Sequence, residues 1–285
     1  MTEALKIEHL NKRFKHFVLQ DINLDVPKGM VVGLIGENGS GKSTTLRCIL
    51  NQDVLDSGTI TIYDQNALTD PKIHEKLGVV SDGHCFPDLF SAKTISGIMK
   101  EIFPHWEEAY FFGFLNRFSV PVDQPLRQLS KGMQAKLRIA CALAHHPDLL
   151  LLDEATAGLD PVVREEILDL LQEFMENEDH AILMTSHISS DLERIADRIA
   201  YIQDGKIDFE LSREQMDALG LAQVANEQLE FIDPALVMTR RKQPLSTEVL
   251  IADRFEFKKR YPDYAISPAS LDEIIVMISK GEQQV

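Results

Sequence analysis

Apolar and polar positions alternate in short runs over residues 4–9 and again over 17–26. That is the period of strands with one buried face, and it suits a small antiparallel sheet. Pro27, Lys28 and Gly29 then make a turn. Over residues 30–35 the pattern becomes a continuous apolar run, followed at once by GENGSGKS and a helical stretch over about 42–50. The order is strand, glycine loop, helix. Two further runs, 149–152 and 181–185, are apolar along their whole length and bracketed by helical sequence. Strands of this kind are buried on both faces and belong in a parallel sheet. Residues from about 91 to 146 read as mostly helical, with 131–144 the clearest amphipathic segment, so a helical subdomain is expected there. After Gly205 the texture changes. Arg240, Arg241 and Lys242, then Lys258, Lys259 and Arg260, alternate with short apolar patches, and only 267–278 reads as a capped apolar helix.

Composition narrows the classes. A chain of 285 residues, 44% hydrophobic and 26% charged, can bury a full core and carry one large domain with an appendage. Its net charge of -16 disfavours nucleic acid, which is bound by neutralising phosphates with clustered lysine and arginine. No run approaches the length of a membrane span, and the polar start MTEALKIEHL lacks the apolar core of a signal peptide, so a cytosolic protein is expected. Cys48, Cys85 and Cys141 have no paired spacing and read as reduced, structural thiols. No internal repeat or sustained heptad pattern is present.

The glycine loop carries the first chemistry. Gly36 to Ser43 fit GxxxxGK[ST], in which glycines let consecutive N–H groups curl round a phosphate at a helix start. Asn38, Gly39, Ser40 and Gly41 would line that cradle, with Thr44 just inside the helix, and Lys42 would reach the β- and γ-phosphates. The Ser43 hydroxyl would sit on Mg²⁺, which takes the rest of its shell from phosphates, water and a carboxylate, so ATP-like triphosphate and magnesium are implied. Asp153 and Glu154 end the run LLLL and place two carboxylates at the carboxyl edge of a strand. Asp153 would hold the metal, and Glu154, pointing the other way, would orient or deprotonate the attacking water. Taken alone, such a pair more often solvates a strand end; the phosphate loop upstream reverses that reading. Ser130 precedes the amphipathic helix, where it can serve as N-cap beside N–H groups that favour an anion; a plain capped helix start fits the same residues.

The motifs GENGSGKS, LSKGM, LLLLDEAT, AGLD and the histidine at 187 stand in the order and spacing of an ABC ATP-binding cassette, which the chain resembles from residue 6 to about 209. The resemblance implies an α/β P-loop NTPase fold: a mostly parallel central sheet, a small antiparallel β subdomain, a helical subdomain over about 91–146 and a small C-terminal accessory region. The cassette would span 1–211 and the accessory region 212–285. It implies ATP and Mg²⁺ as ligands, with Ser130 and Gly132 touching the γ-phosphate held by an opposite subunit. Asp160 would lie across the dimer seam, though an Asp-Pro pair also starts a helix. His187 would donate toward the γ-phosphate and Glu154. Phe14 would stack on adenine with Val18 near the sugar or base, or Phe14 is ordinary core.

The implied partners are a second cassette, identical or a close relative, clasped head to tail round ATP, and a separate transmembrane permease that holds the protein on the inner face of the membrane. Residues 83–106, with Phe86, Leu89, Phe90, Ile95 and Phe103, fall where the family docks its permease, although filling a helical core would need the same residues. Asp82 replaces the family's usual magnesium-contacting glutamine, and Met133 replaces the glutamine that ends the signature. Aspartate is a sound oxygen ligand, so Asp82 is expected to keep the role. FPHW around Trp106, the stretch from KGMQAK through DPVVR, and the tail SPASLDEIIV resemble ATPases of bacterial exporters for amphipathic peptides, such as exporters of phenol-soluble modulins, with the ATPase of a multidrug, antibiotic-resistance or cell-envelope exporter as the alternative. Non-transport ABC ATPases would show long coiled coils, basic surfaces or two cassettes, none of which this sequence carries.

Overall fold

The computed structural model describes residues 2–69, 71–81 and 86–283. The chain forms two compact units, Met1–Glu210 and Leu211–Val285.

The first unit opens with β1 (Glu3–Arg13) and β2 (Val18–Pro27), followed by β3 (Val31–Ile35), α1 (Lys42–Ile49), β4 (Ser57–Ile62), β5 (Gln65–Asn66) and β6 (Leu77–Val80). Three helices come next: α2 (Ala92–Ile102), α3 (Glu108–Arg117) and α4 (Lys131–Leu143). Then β7 (Leu149–Asp153), α5 (Pro161–Phe174), β8 (Ala181–Ser186), α6 (Ser189–Ile195), β9 (Arg198–Gln203) and β10 (Lys206–Ser212) complete it.

Two sheets result. β2-β1-β4-β5 is antiparallel, as the alternating sequence requires, and β10-β9-β3-β8-β7-β6 is parallel from β9 through β6. Every residue of β3 and β8 is buried, which explains their unbroken apolar runs. Asp204 and Gly205 both have positive φ (48° and 76°), the geometry of a tight hairpin, so β10 returns antiparallel to β9. One apolar cluster joins Leu5, Leu10 and Leu24 of the small sheet, Leu46 and Ile49 of α1, and Leu149 and Leu183 of the large sheet, so α1 is gripped between the two. Ser91 and Ser130 cap α2 and α4 by accepting from the N–H of Thr94 and Met133.

The second unit was legible only as an accessory region; it is an antiparallel sheet with helices. It contains α7 (Arg213–Ala218), β11 (Gly220–Ala225), β12 (Val237–Lys242), β13 (Ser246–Ile251), α8 (Arg254–Arg260), β14 (Ile266–Pro268), α9 (Leu271–Lys280) and β15 (Glu282–Gln283), in the order β14-β11-β13-β12-β15. Ala222, Val224, Val249 and Ile251 line its core with Phe257. The helix expected over 267–278 begins later, because Ser267 lies in β14 paired with Leu221, and Ser270 forms the cap with a capping box to Glu273.

Candidate nucleotide site

The neighbouring strands β3, β8 and β7 end at one edge of the sheet, and the loops leaving them carry the charged groups. Close packing dictates the glycines of the first loop. A Cβ on Gly36 would lie 2.2 Å from the Ile202 carbonyl oxygen, and Gly41, at φ +121°, would drive one to 2.6 Å from Leu19 Cδ2. Gly41 is also the N-cap of α1 and no side chain caps that helix, so its first-turn N–H groups have no acceptor within the protein's own helix. The buried Ser40 Oγ likewise has no hydrogen-bond partner. Lys42 is 5% exposed, and its ammonium donates to the carbonyls of Gly36 (2.7 Å) and Glu37 (3.3 Å). A cradle of unpaired donors round a buried cation fits a phosphate chain.

The two carboxylates diverge. Asp153 Oδ1 accepts from Ser43 Oγ at 3.0 Å and from Thr185 Oγ1 at 2.6 Å. Glu154 leaves the strand in the left-handed region, φ 52°, which is strained for a residue with a side chain. Its N–H is held by the carbonyl and hydroxyl of Thr185, both at 3.2 Å. Its carboxylate turns to His187, accepting from Nδ1 at 2.6 Å and from the backbone N–H at 3.3 Å, and stands 3.4 Å from the Lys42 ammonium. Thr185 thus organises both acids. Ser43 and Asp153 offer the hard oxygen donors magnesium prefers. Among the described residues no cluster of three or more acidic, histidine or cysteine side chains surrounds them, so a cation here would need phosphate and water oxygens to fill its shell.

A cavity of about 700 Å³ opens beside these groups, with Ser40, Asp153 and Thr185 behind its wall rather than in its lining. Phe14, Asn38, Gly39, Gly41, Lys42, Ser43, Thr44, Glu154 and His187 line it, together with His16, Phe17, Arg47 and Ala157, which sequence reasoning did not single out. Val18 is not part of the lining; the neighbouring Phe17 is. Lys12 lies 5.4 Å from the Phe14 ring centroid, a cation–π contact on a ring that is not core. Ser130, Gly132 and Asp160 are absent from this lining. Ser130 caps α4, and Asp160 caps α5 through the N–H of Val163 at 3.1 Å. Asp82 and Cys85 lie outside the described residues.

A second, apolar cavity of about 280 Å³ lies between α4 and the segment expected to meet a permease, with Phe86 and Phe103 in its wall. His145 forms part of the same wall, stacks on Phe103 at 4.1 Å between centroids and donates from Nε2 to the Leu77 carbonyl. Of the other residues in that segment, Ile95 is fully buried core and Leu89 is 68% exposed, so neither expectation covers them all. Cys48 and Cys141 are buried, and burial pushes the Cys48 thiol up to about 11, which suits the structural reading.

A nucleotide cradle at the carboxyl edge of a doubly covered parallel sheet defines the class as a P-loop α/β protein. Comparison with known proteins narrows it. The ABC transporter family matches residues 19–157. The ABC transporter ATP-binding protein YtrB of Bacillus subtilis (strain 168) is 35% identical over 190 residues, 67% of this chain and 65% of YtrB, just under two thirds of that relative. The lantibiotic transport ATP-binding protein SrtF of Streptococcus pyogenes is 31% identical over 230 residues, 80% of this chain and 98% of SrtF. The chain belongs to the ABC transporter ATP-binding family. A solved ATP-binding subunit of an ABC transporter shares the fold over 97% of this chain and 100% of its own, with a TM-score of 0.72 at 21% identity. The dimeric structure of MJ0796, a bacterial ABC transporter cassette, covers 73% of this chain and 98% of its own at 25% identity, with a TM-score of 0.66. No helix among the described residues is long and apolar enough to cross a membrane.

Proposed function

We propose that the chain is the ATP-hydrolysing subunit of a membrane exporter of amphipathic peptides, and that it works as one half of a nucleotide-sandwiching pair. The observation that carries the pairing is the separation within one chain: the phosphate cradle and Glu154 share a cavity, while Ser130, Gly132 and Asp160 stand outside it. Two chains placed head to tail would supply to each other what each cavity lacks. The dimeric MJ0796 cassette supports this reading.

In the proposed reaction Phe14 stacks on the base, and the α1 N-terminus with Lys42 holds the β- and γ-phosphates. Ser43 and Asp153 are the residues that would hold Mg²⁺, which when bound offsets phosphate charge. Glu154 accepts a proton from water as the water oxygen bonds to the γ-phosphorus and the bond to the β,γ-bridging oxygen breaks, leaving ADP and phosphate. His187 fixes that carboxylate through the 2.6 Å bond already formed, and its other ring nitrogen is proposed to donate toward the γ-phosphate. Loss of the γ-phosphate removes the differential contacts that hold the pair, and opening follows. Asp82 is proposed as an additional magnesium contact.

The apolar cavity beside Phe86 and Phe103 is the proposed permease seat, and the name of SrtF supports a peptide cargo. The test is to copurify the chain with its membrane partner in liposomes and assay Mg-ATP hydrolysis across amphipathic peptides. Stimulation by such peptides is expected. Copurification without stimulation by any of them would reject the cargo, and no association with a membrane protein would reject the transport role.

A further inference from the structure

The helices that begin at Ser130 and Asp160 are fastened to each other by contacts that no nucleotide-site role explains. A Cβ on Gly132 would lie 3.0 Å from Val163 Cγ2, so the first turns of α4 and α5 are in van der Waals contact. One turn further on, Lys136 Nζ meets Glu166 Oε2 at 2.6 Å. Each partner stands six residues past its cap, 130 to 136 and 160 to 166, so the ion pair joins the second turns of the two helices. Each helix start carries the positive end of its dipole, and two such ends at close quarters repel, so a tie between the first turns sets their separation.

Lys136 and Glu166 are placed to do so. The lysine side chain is 10% exposed and its ammonium lies 5.2 Å from the Phe118 ring centroid, so it is out of water and needs a counter-charge. Glu166 supplies it through an ion contact without directed hydrogen-bond geometry. α5 is tied on its other side to the loop after Glu154: Arg164 Nε stands 3.8 Å from Asp191 Oδ1, and Asp191 Oδ2 accepts from Thr156 Oγ1 at 2.6 Å. Asp191 is 2% exposed, so this anchor is also buried.

We infer that Lys136 and Glu166 are a positioning pair, setting the distance between the Ser130 and Asp160 helix starts so that both engage the partner cassette's nucleotide together. Neither residue lines the chain's own nucleotide cavity. The inference rests on the paired-cassette reading, and it predicts a selective defect. Without the pair, one chain binds nucleotide as before but closes poorly on another.

The experiment uses the full chain. Glu166→Gln is the variant of choice because Glu166 is 39% exposed at its side chain and loses only charge. It is made in a Glu154→Gln background and in the otherwise unchanged protein. In the first background the dimer dissociation constant with Mg-ATP is measured by analytical ultracentrifugation, and binding of a fluorescent ATP analogue at concentrations that keep the chain monomeric. Glu166→Gln is expected to raise the dimer dissociation constant roughly 2- to 30-fold, the range of such indirect couplings, with nucleotide binding within about twofold. In the unchanged protein kcat falls while KM holds. An unaltered dimer constant overturns the inference, and so does an equal loss of nucleotide binding, which would report general loosening. If the Glu154→Gln parent itself fails to pair, the paired-cassette reading falls first and this inference goes with it.

Discussion

The carboxyl edge of the large sheet and the C-terminal unit handle buried polar groups in opposite ways. At the edge, Lys42, Glu154 and Asp153 are drawn largely out of water, Ser40 Oγ has no partner, and Glu154 is held in a strained backbone conformation. Among the described residues of the C-terminal unit the buried polar side chains are Thr239 and Thr247, each satisfied: Thr239 donates to the Met277 carbonyl and Thr247 to Asn226. Its ion pairs keep at least one partner in water, as in Arg241 with Glu248 and Arg260 with Asp233, whereas Lys42 and Glu154 are both withdrawn from it. The first region gives up local stability to hold reactive groups in place; the second carries a satisfied apolar core and no such groups. Substitutions in the two regions should therefore move different quantities.

Glu154→Gln is expected to have the largest effect: kcat falling about 10²- to 10⁴-fold with the melting temperature unchanged or higher, since it removes the proposed base from a strained site. Phosphate release beside a thermal melt checks it, and turnover at the parental rate would remove Glu154 from the mechanism. Phe257→Ala should do the reverse. Phe257 is fully buried at the centre of the C-terminal core, so its loss should cost about 3–5 kcal/mol of that unit's stability while ATP turnover per folded cassette stays within about twofold. Urea unfolding followed in the C-terminal unit measures the first, and a parallel fall in turnover would erase the contrast.

Ser270→Ala removes a capping box and should destabilise the same unit by about 1 kcal/mol. The smallest effect is one of pH. Burial holds the folded-state pKa of His145 below its ordinary 6.5, against a smaller opposing pull from the Leu77 carbonyl. Above pH 6.5 both folded and unfolded histidine are neutral and the full stability is present. As pH drops below that value the unfolded chain takes up a proton the folded chain resists, so stability declines toward the lower folded pKa. Melting temperatures of wild type and His145→Asn between pH 7.5 and 5 should converge on the acid side; parallel curves would deny it.

What the chain showed in advance follows the same division. Three of the five parallel strands, β3, β7 and β8, were legible because burial on both faces leaves unbroken apolar runs, whereas β6 and β9, whose runs include exposed positions, were not read. The phosphate loop was legible because its backbone tolerates few residues, as the Gly36 and Gly41 approaches show. Thr185 was missed, yet it is the polar residue that breaks the apolar run AILMTS at the end facing both acids. His16, Phe17 and Arg47 reach the cavity through folding of the β1–β2 connection and one turn of α1, which no local pattern reports. The C-terminal sheet stayed hidden because its strands mix buried with exposed positions and short helical turns interrupt them. Only the alternation of Ala222 and Val224 carries a trace of it. Lys136 and Glu166 were invisible as a pair because their meeting depends on how two distant helices pack.

The central claim is that triphosphate joins two of these chains. The mass of Glu154→Gln in solution, measured by light scattering with Mg-ATP and again with Mg-ADP, tests it directly. The account predicts twice the chain mass with ATP and the single-chain mass with ADP. A single-chain mass in ATP, with nucleotide demonstrably bound, would contradict it.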